Sequence, residues 1–338
     1  MGGCARTRPL PPPSFSRKKA SLVALYLLRK FGQTVALLFV VSILVYALLY
    51  LAPGSVERTL LQGQPATPET LAAIREQFHL DDPFLAQYWR WVTGAVTGDF
   101  GSSIVERQPV TTVIGGRLEI SATLAVMAIV LVLLTAIPLG MIAGLRQGKI
   151  ADVLISGMSV VFLAAPVYAT ATILLYIFGI ALGIFPVFGA GNGFVDRLWH
   201  LLLPAITLAI AQFAVVARQM RASVLGVESA DYVTFARARG LTNSRILGAY
   251  TFRNSMLPVL TVTGLLLAGS LGGVVFIENI FSIPGLGSLL VESIRSKDMP
   301  VVQAIAILLA TIVFAFNFIV DILYAVVDPR IRMTGGPR

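Results

Sequence analysis

Six runs of apolar residues, most of them near or above the roughly 20 that carry a helix across a bilayer, divide this chain: Phe31–Leu51, Leu118–Leu145, Val153–Ile180, Leu201–Ala217, Leu257–Ile277 and Val301–Val327. Lipid is the solvent that accommodates so many of them. Hydrophobic residues make up 56% of the 338 and charged residues 13%, against roughly a quarter charged in a soluble domain. The sequence predicts an all-α, polytopic membrane bundle of six transmembrane helices.

The charges orient it. A net charge of +9 raises the question of nucleic acid, but the Lys and Arg fall between the apolar runs in alternation. Eighteen lie on the side shared by both ends of the chain and eight on the other, so both termini are predicted to be cytoplasmic, with no nucleic-acid partner. Residues 1–30 form a basic tail, 31–51 the first span, 52–117 an external segment, 118–330 the core and 331–338 a second tail. The first run follows Arg29-Lys30 as a secretory signal would. It is longer than a signal's apolar core and lacks a small-x-small cleavage site, which predicts an uncleaved anchor. Cys4, the single cysteine, excludes an internal disulfide or multi-thiolate zinc site, and Arg6 departs from a myristoylation signal.

In the external segment Thr67 is expected to cap a helix with Leu71, Ile74 and Phe78 on one face. Asp81-Asp82-Pro83 ends it, and Phe84–Val92, with Trp89 and Trp91, suggests a second short helix near the interface. Small residues four apart, Gly140 with Gly144, Gly264 with Ala268 and Gly269 with Gly273, predict close helix packing. Pro138, Pro166 and Pro204 lie inside or at the ends of spans, where neighbours can satisfy the freed carbonyls. Gln33, Gln212, Asn317 and Asp321 are the polar residues near membrane depth. Interhelical bonding for Gln212 and a juxtamembrane Arg partner for Asp321 are the expected roles. His79 and His200 lack a second histidine at ligand spacing.

The longest cytoplasmic loop carries the most pattern. Ser229 is read as an N-cap, Asp231 suits the positive helix start, Arg237 and Arg239 suit its negative end, and Gly240 can take the left-handed closing conformation. Thr242 or Asn243 then caps a second helix running through Arg253-Asn254 to Leu257-Pro258. Tyr232, Phe235, Ala236 and Arg239 follow i, i+3, i+4, i+7, one aromatic and apolar face. A membrane surface and a groove on a partner both suit such a face, and periodicity leaves the two open.

This loop resembles the EAA loop of ABC-importer permeases, a Glu-Ala-Ala, three residues, a Gly and a later Ile-x-Leu-Pro. Thr234-Phe235-Ala236 stands at the Glu-Ala-Ala, Gly240 at the glycine, and Leu257-Pro258 closes the pattern. The first two residues depart from it, and the distance from Gly240 to Pro258 is five positions longer than the general pattern. Tyr232-Val233, Ala236-Arg237-Ala238, Gly240-Leu241 and the later Arg253-Asn254 are instead similar to the dipeptide, oligopeptide and nickel branch. Leu80-Asp81-Asp82-Pro83, Gln87-Tyr88-Trp89, Gly98-Asp99-Phe100-Gly101, Phe185-Pro186-Val187-Phe188-Gly189, Glu278 through Gly287 and Asp328-Pro329-Arg330 extend the resemblance over nearly the whole chain beyond residue 20.

The resemblance implies a type I ABC-importer permease fold, a homologous second permease, two ATPase subunits and an extracytoplasmic solute-binding protein. It implies that residues 229–258 couple to the ATPase through Asp231, Tyr232, Phe235, Ala236, Arg237, Arg239 and Gly240. This chain would bind no cofactor and hydrolyse nothing, ATP and Mg being held by the partner ATPases. The sequence agrees in lacking Gly-x-x-x-x-Gly-Lys-Ser/Thr and His-Glu-x-x-His. The cargo implied is a di- or oligopeptide, with nickel, glutathione or another small solute as alternatives. A secondary transporter would show paired halves with ionisable residues at the midplane, and a membrane enzyme a catalytic constellation within the spans; neither pattern is visible. Glu278 and Asn279 open a last external element, either re-entrant or a solvated turn around Pro284-Gly285.

Overall fold

A computed structural model describes residues 15–50, 67–69, 72 and 81–327. Most of the helix expected after Thr67, with Leu71, Ile74 and Phe78, lies outside the described residues, as do His79, the side chain of Asp321 and the two chain ends. Among those described, regular structure is helical, with one isolated bridge between Ser102 and Pro109. The elements are α1 (Phe15–Tyr50), α2 (Phe84–Thr97), α3 (Val110–Leu145), α4 (Ile150–Ala164), α5 (Val167–Leu174, continued by a π-helical stretch Leu175–Ala181) and α6 (Phe194–Glu228). There follow α7 (Asp231–Ala238), α8 (Asn243–Ile246), which runs through π-helical residues Leu247–Phe252 into α9 (Arg253–Ile280), then α10 (Leu286–Ser296) and α11 (Met299–Val327).

Among the described residues four uninterrupted segments, Leu28–Ala47 in α1, α3, α6 and Met299–Ile319 in α11, are long and apolar enough to cross a membrane. One bent pair, α4 and α5, which meet at 104°, is long and apolar enough only when its two halves are taken together, as a broken span or a re-entrant loop. Here the sequence expectation is corrected: Val153–Ile180 is not one rod. Pro166 offers no N–H to continue the helix and drives Ala165 to φ −81°, ψ 121°, an extended conformation that ends α4. Pro138 and Pro204, by contrast, sit inside continuous helices. The run Leu257–Ile277 falls within the 28-residue α9.

The central contact is α3 against α6. At Gly140 an added Cβ would lie 2.5 Å from the Ala217 carbonyl oxygen, and at Gly144 2.7 Å from the Val224 side chain. Only glycine allows backbones that close. Val132, Ala136, Phe213, Val216, Met220 and Val259 fill the seam around them, and Leu124, Leu201, Leu208, Ile277 and Phe281 fill the opposite end of the bundle. The seam expected on α9 is weaker. Gly264 is half-buried, an added Cβ at Gly273 would meet only Leu208 at an ordinary 3.4 Å, and Gly269 is exposed with nothing within 4 Å. Gly269 therefore packs against no described part of this chain.

At one end of the bundle α2 braces α1. Tyr46 meets the rings of Phe84, Tyr88 and Trp91 at 5.5–5.6 Å, and the Tyr88 hydroxyl shares a 2.7 Å hydrogen bond with Ser42. Trp89 and Leu85 remain exposed on the other face of α2. At the other end α6 continues 11 residues past Ala217, about 16 Å of helix, and carries α7 on its tip.

Candidate functional site

Helix α7 is short, closed at both ends and held from three sides. Its start differs from the sequence expectation. Ala230 occupies the N-cap, with φ −78° and ψ 144° and no side-chain cap, while Ser229 closes α6 and donates its hydroxyl to the Gly226 carbonyl at 3.1 Å. The two-residue break puts Ala230, whose methyl offers no acceptor, at the capping position. Asp231 lies in the first turn and Arg237 in the last. Gly240, at φ +75°, takes the left-handed conformation and bonds back to the Arg237 carbonyl at 2.9 Å.

The faces of α7 divide differently from the periodic pattern. Ala236 is only 4% exposed and packs with Val233 and Ile246 into a small cluster edged by Val227, Leu241 and Tyr250. Its role is internal packing, because the i, i+4 stripe through Tyr232 and Ala236 straddles the boundary between buried and open faces. Phe235 is 70% exposed, and Tyr232 and Arg239 are also open. Tyr232 stacks on Tyr250 at 6.4 Å and its hydroxyl accepts a long, 3.5 Å bond from Asn254.

Glu228, the last residue of α6, locks this arrangement. Its carboxylate accepts the Arg237 guanidinium from α7 and, at 2.6 Å, the Thr251 hydroxyl from the stretch leading into α9. One side chain thus ties three segments together, and sequence reading passed over it because its partners lie 9 and 23 residues away.

Two further carboxylates, Asp152 and Asp298, were missed for the same reason, and a third, Glu278, was named without its partners. Asp152 near the start of α4 receives a bidentate grip from Arg221 of α6 at 2.5 and 2.8 Å, with the Gly148 N–H at 2.9 Å. Asp298 accepts the Ser103 hydroxyl and the N–H groups of Ile104 and Val105 at 3.2 and 3.3 Å, pinning the segment after α2 to the start of α11. Glu278, near the end of α9, is fully buried and accepts Ser121 Oγ at 2.5 Å and the N–H groups of Gly287 and Ser288 at 2.7 and 3.0 Å. The turn around Pro284-Gly285 is therefore folded onto a buried carboxylate rather than solvated. A Cβ on Gly285 would meet the Glu278 carboxyl at 2.2 Å. The available signal was a lone acidic residue directly after the apolar Val274–Ile277.

Gln212 is buried and Gln33 exposed. His200 bonds the Asp196 carbonyl at 2.9 Å through Nδ1, and no group of three or more potential metal ligands occurs among the described residues.

The family described as binding-protein-dependent transport system inner membrane component matches residues 136–333, and its N-terminal companion matches residues 23–125. The chain belongs to this family of ABC-importer permeases. A probable peptide ABC transporter permease protein of Sinorhizobium fredii is 34% identical over 313 residues, covering 92% of this chain and 100% of the relative. The glutathione transport system permease protein of Escherichia coli K12 is 35% identical over 307 residues, covering 91% and 98%. A solved chain of an amino acid ABC transporter aligns with a TM-score of 0.49 and 16% identity, over 64% of this chain and 95% of that one. As an ABC-importer permease the chain is an inner-membrane transport component, a subunit that works with ATPase and solute-binding partners.

Proposed function

We propose that this permease forms half of the translocation pathway of an importer for short peptides and transmits ATP-driven motion through α7. It crosses the membrane six times with both termini cytoplasmic and α9 as the fifth crossing. It pairs with a homologous second permease, two ATPase subunits that hold ATP and Mg, and an extracytoplasmic binding protein. The names of the relatives favour peptide-like cargo, and glutathione is itself a tripeptide.

The observation that carries the coupling role is the standing of α7: a closed helix on the tip of α6, braced by Glu228 and presenting an exposed Phe235. Rigid attachment lets a push on α7 move α6 and α9 together, and an exposed aromatic beside Arg239 suits a partner's cleft. The excess of Lys and Arg on this side of the spans supports a cytoplasmic position for the knob, where an ATPase works.

Phe235→Asp tests the reading, since its side chain points outward and the fold survives the change. Peptide uptake into cells is expected to fall at least about tenfold, with less ATPase co-purifying on the tagged permease. Undiminished uptake together with undiminished co-purification contradicts a coupling role for α7.

A further inference from the structure

A cavity of about 580 Å³ opens at the end of the bundle opposite α7, where α3 and α9 meet α10. Its volume is within the roughly 300–1,000 Å³ that suits small molecules. Arg117 of α3, Asn279 of α9, and Ser288, Glu292 and Arg295 of α10 line it, with Glu278 at its base. Glu278 is engaged by Ser121 and two backbone N–H groups. Among the described residues the heads of Arg117, Arg295 and Glu292 have no ion pair within 4 Å. Glu292 and Arg295 are three apart on α10 and share a face.

Two guanidinium groups and one carboxylate without an ion pair within 4 Å surround a concave space, with Arg117 also within electrostatic reach of the buried Glu278, and this is the arrangement a zwitterion would meet. Guanidinium forks bind carboxylates through paired, charge-assisted hydrogen bonds. We propose that this cavity is a subsite for the free carboxylate end of a peptide-like solute, gripped by Arg117 and Arg295, with Glu292 placed to meet the ammonium end. The inference rests on the peptide reading above and on the cavity lying at the outer, solute-receiving side. A concave wall carrying both signs of charge fits a small dipolar solute better than a protein docking patch, which favours the solute over an acidic side chain of the binding protein.

The test uses the complete importer in proteoliposomes with its binding protein. Uptake of a free dipeptide and of its C-terminal amide is compared, each at a concentration that saturates the binding protein. Wild type is expected to favour the free carboxylate, and Arg295→Gln to shrink that preference by about tenfold, one charge-assisted hydrogen bond. Arg117→Gln is expected to act in the same direction. Arg295 is exposed, so its variant keeps the fold even if Arg117→Gln disturbs the nearby Glu278. An unchanged free-to-amide ratio in Arg295→Gln overturns the subsite and leaves the peptide reading standing. Equal loss of both substrates overturns it in favour of a docking contact. Failure of wild type to move either peptide removes the peptide reading itself, and the subsite with it.

Discussion

At the scale of single residues, the permease is held by carboxylates that sequence distance conceals. Asp152 and Arg221 are 69 positions apart, Ser121 and Glu278 157, Ser103 and Asp298 195. Removing one partner of a buried pair strands the other, which typically costs about 3–5 kcal/mol, whereas removing both costs much less. Asp152→Ala is therefore expected to lose about 3 kcal/mol, the low end because Arg221 is partly exposed. The double variant Asp152→Ala with Arg221→Leu should lose clearly less than the two singles added together. Thermal unfolding of the purified complex measures this cycle, and strict additivity contradicts the pairing. Glu278→Ala leaves the N–H groups of Gly287 and Ser288 unpaired in a buried place, an expected loss of about 3 kcal/mol. A melting temperature unchanged by Glu278→Ala would contradict its role in seating α10.

Among the elements, the loop that holds α7 shows which features a sequence displays and which it hides. Gly240 as helix stop and Asp231 and Arg237 at opposite ends of α7 were legible, because caps and end charges act within a turn of the residue that carries them. Hidden was the inward turn of Ala236, since a period of 3.6 finds a stripe without saying which edge of it meets the rest of the chain. The break at Ala165-Pro166 was hidden as well. Pro138, Pro204 and Pro258 occupy equally apolar surroundings and leave their helices unbroken, so the proline alone does not reveal a 104° bend. Glu228 is the element-scale test. Glu228→Ala releases Arg237 and Thr251, freeing α7 from both neighbours while its outer face remains intact. ATPase co-purification should persist while peptide uptake falls several-fold, measured as uptake per ATP hydrolysed. A normal ratio of uptake to hydrolysis contradicts the bracing role.

For the whole molecule, the apolar runs made the helical membrane architecture legible, because bilayer thickness acts on every segment at once, and the Lys and Arg distribution predicts its direction. The packed seam between α3 and α6, closed by Gly140 and Gly144, makes a rigid rod that joins the bundle to α7. Motion applied at the tip of α6 that carries α7 would then reach the opposite end, where Glu278 seats α10 beside the charged cavity. The central claim is that α7 stands on the cytoplasmic side and is covered there by an ATPase. Cys4 is the only cysteine, so Cys4→Ser with Thr234→Cys places a single thiol on the exposed surface of α7. A membrane-impermeant maleimide should leave intact cells unlabelled, should label inverted vesicles stripped of ATPase, and should label them far less once ATPase is restored. Labelling of position 234 from outside intact cells, or labelling indifferent to the ATPase, would contradict the account.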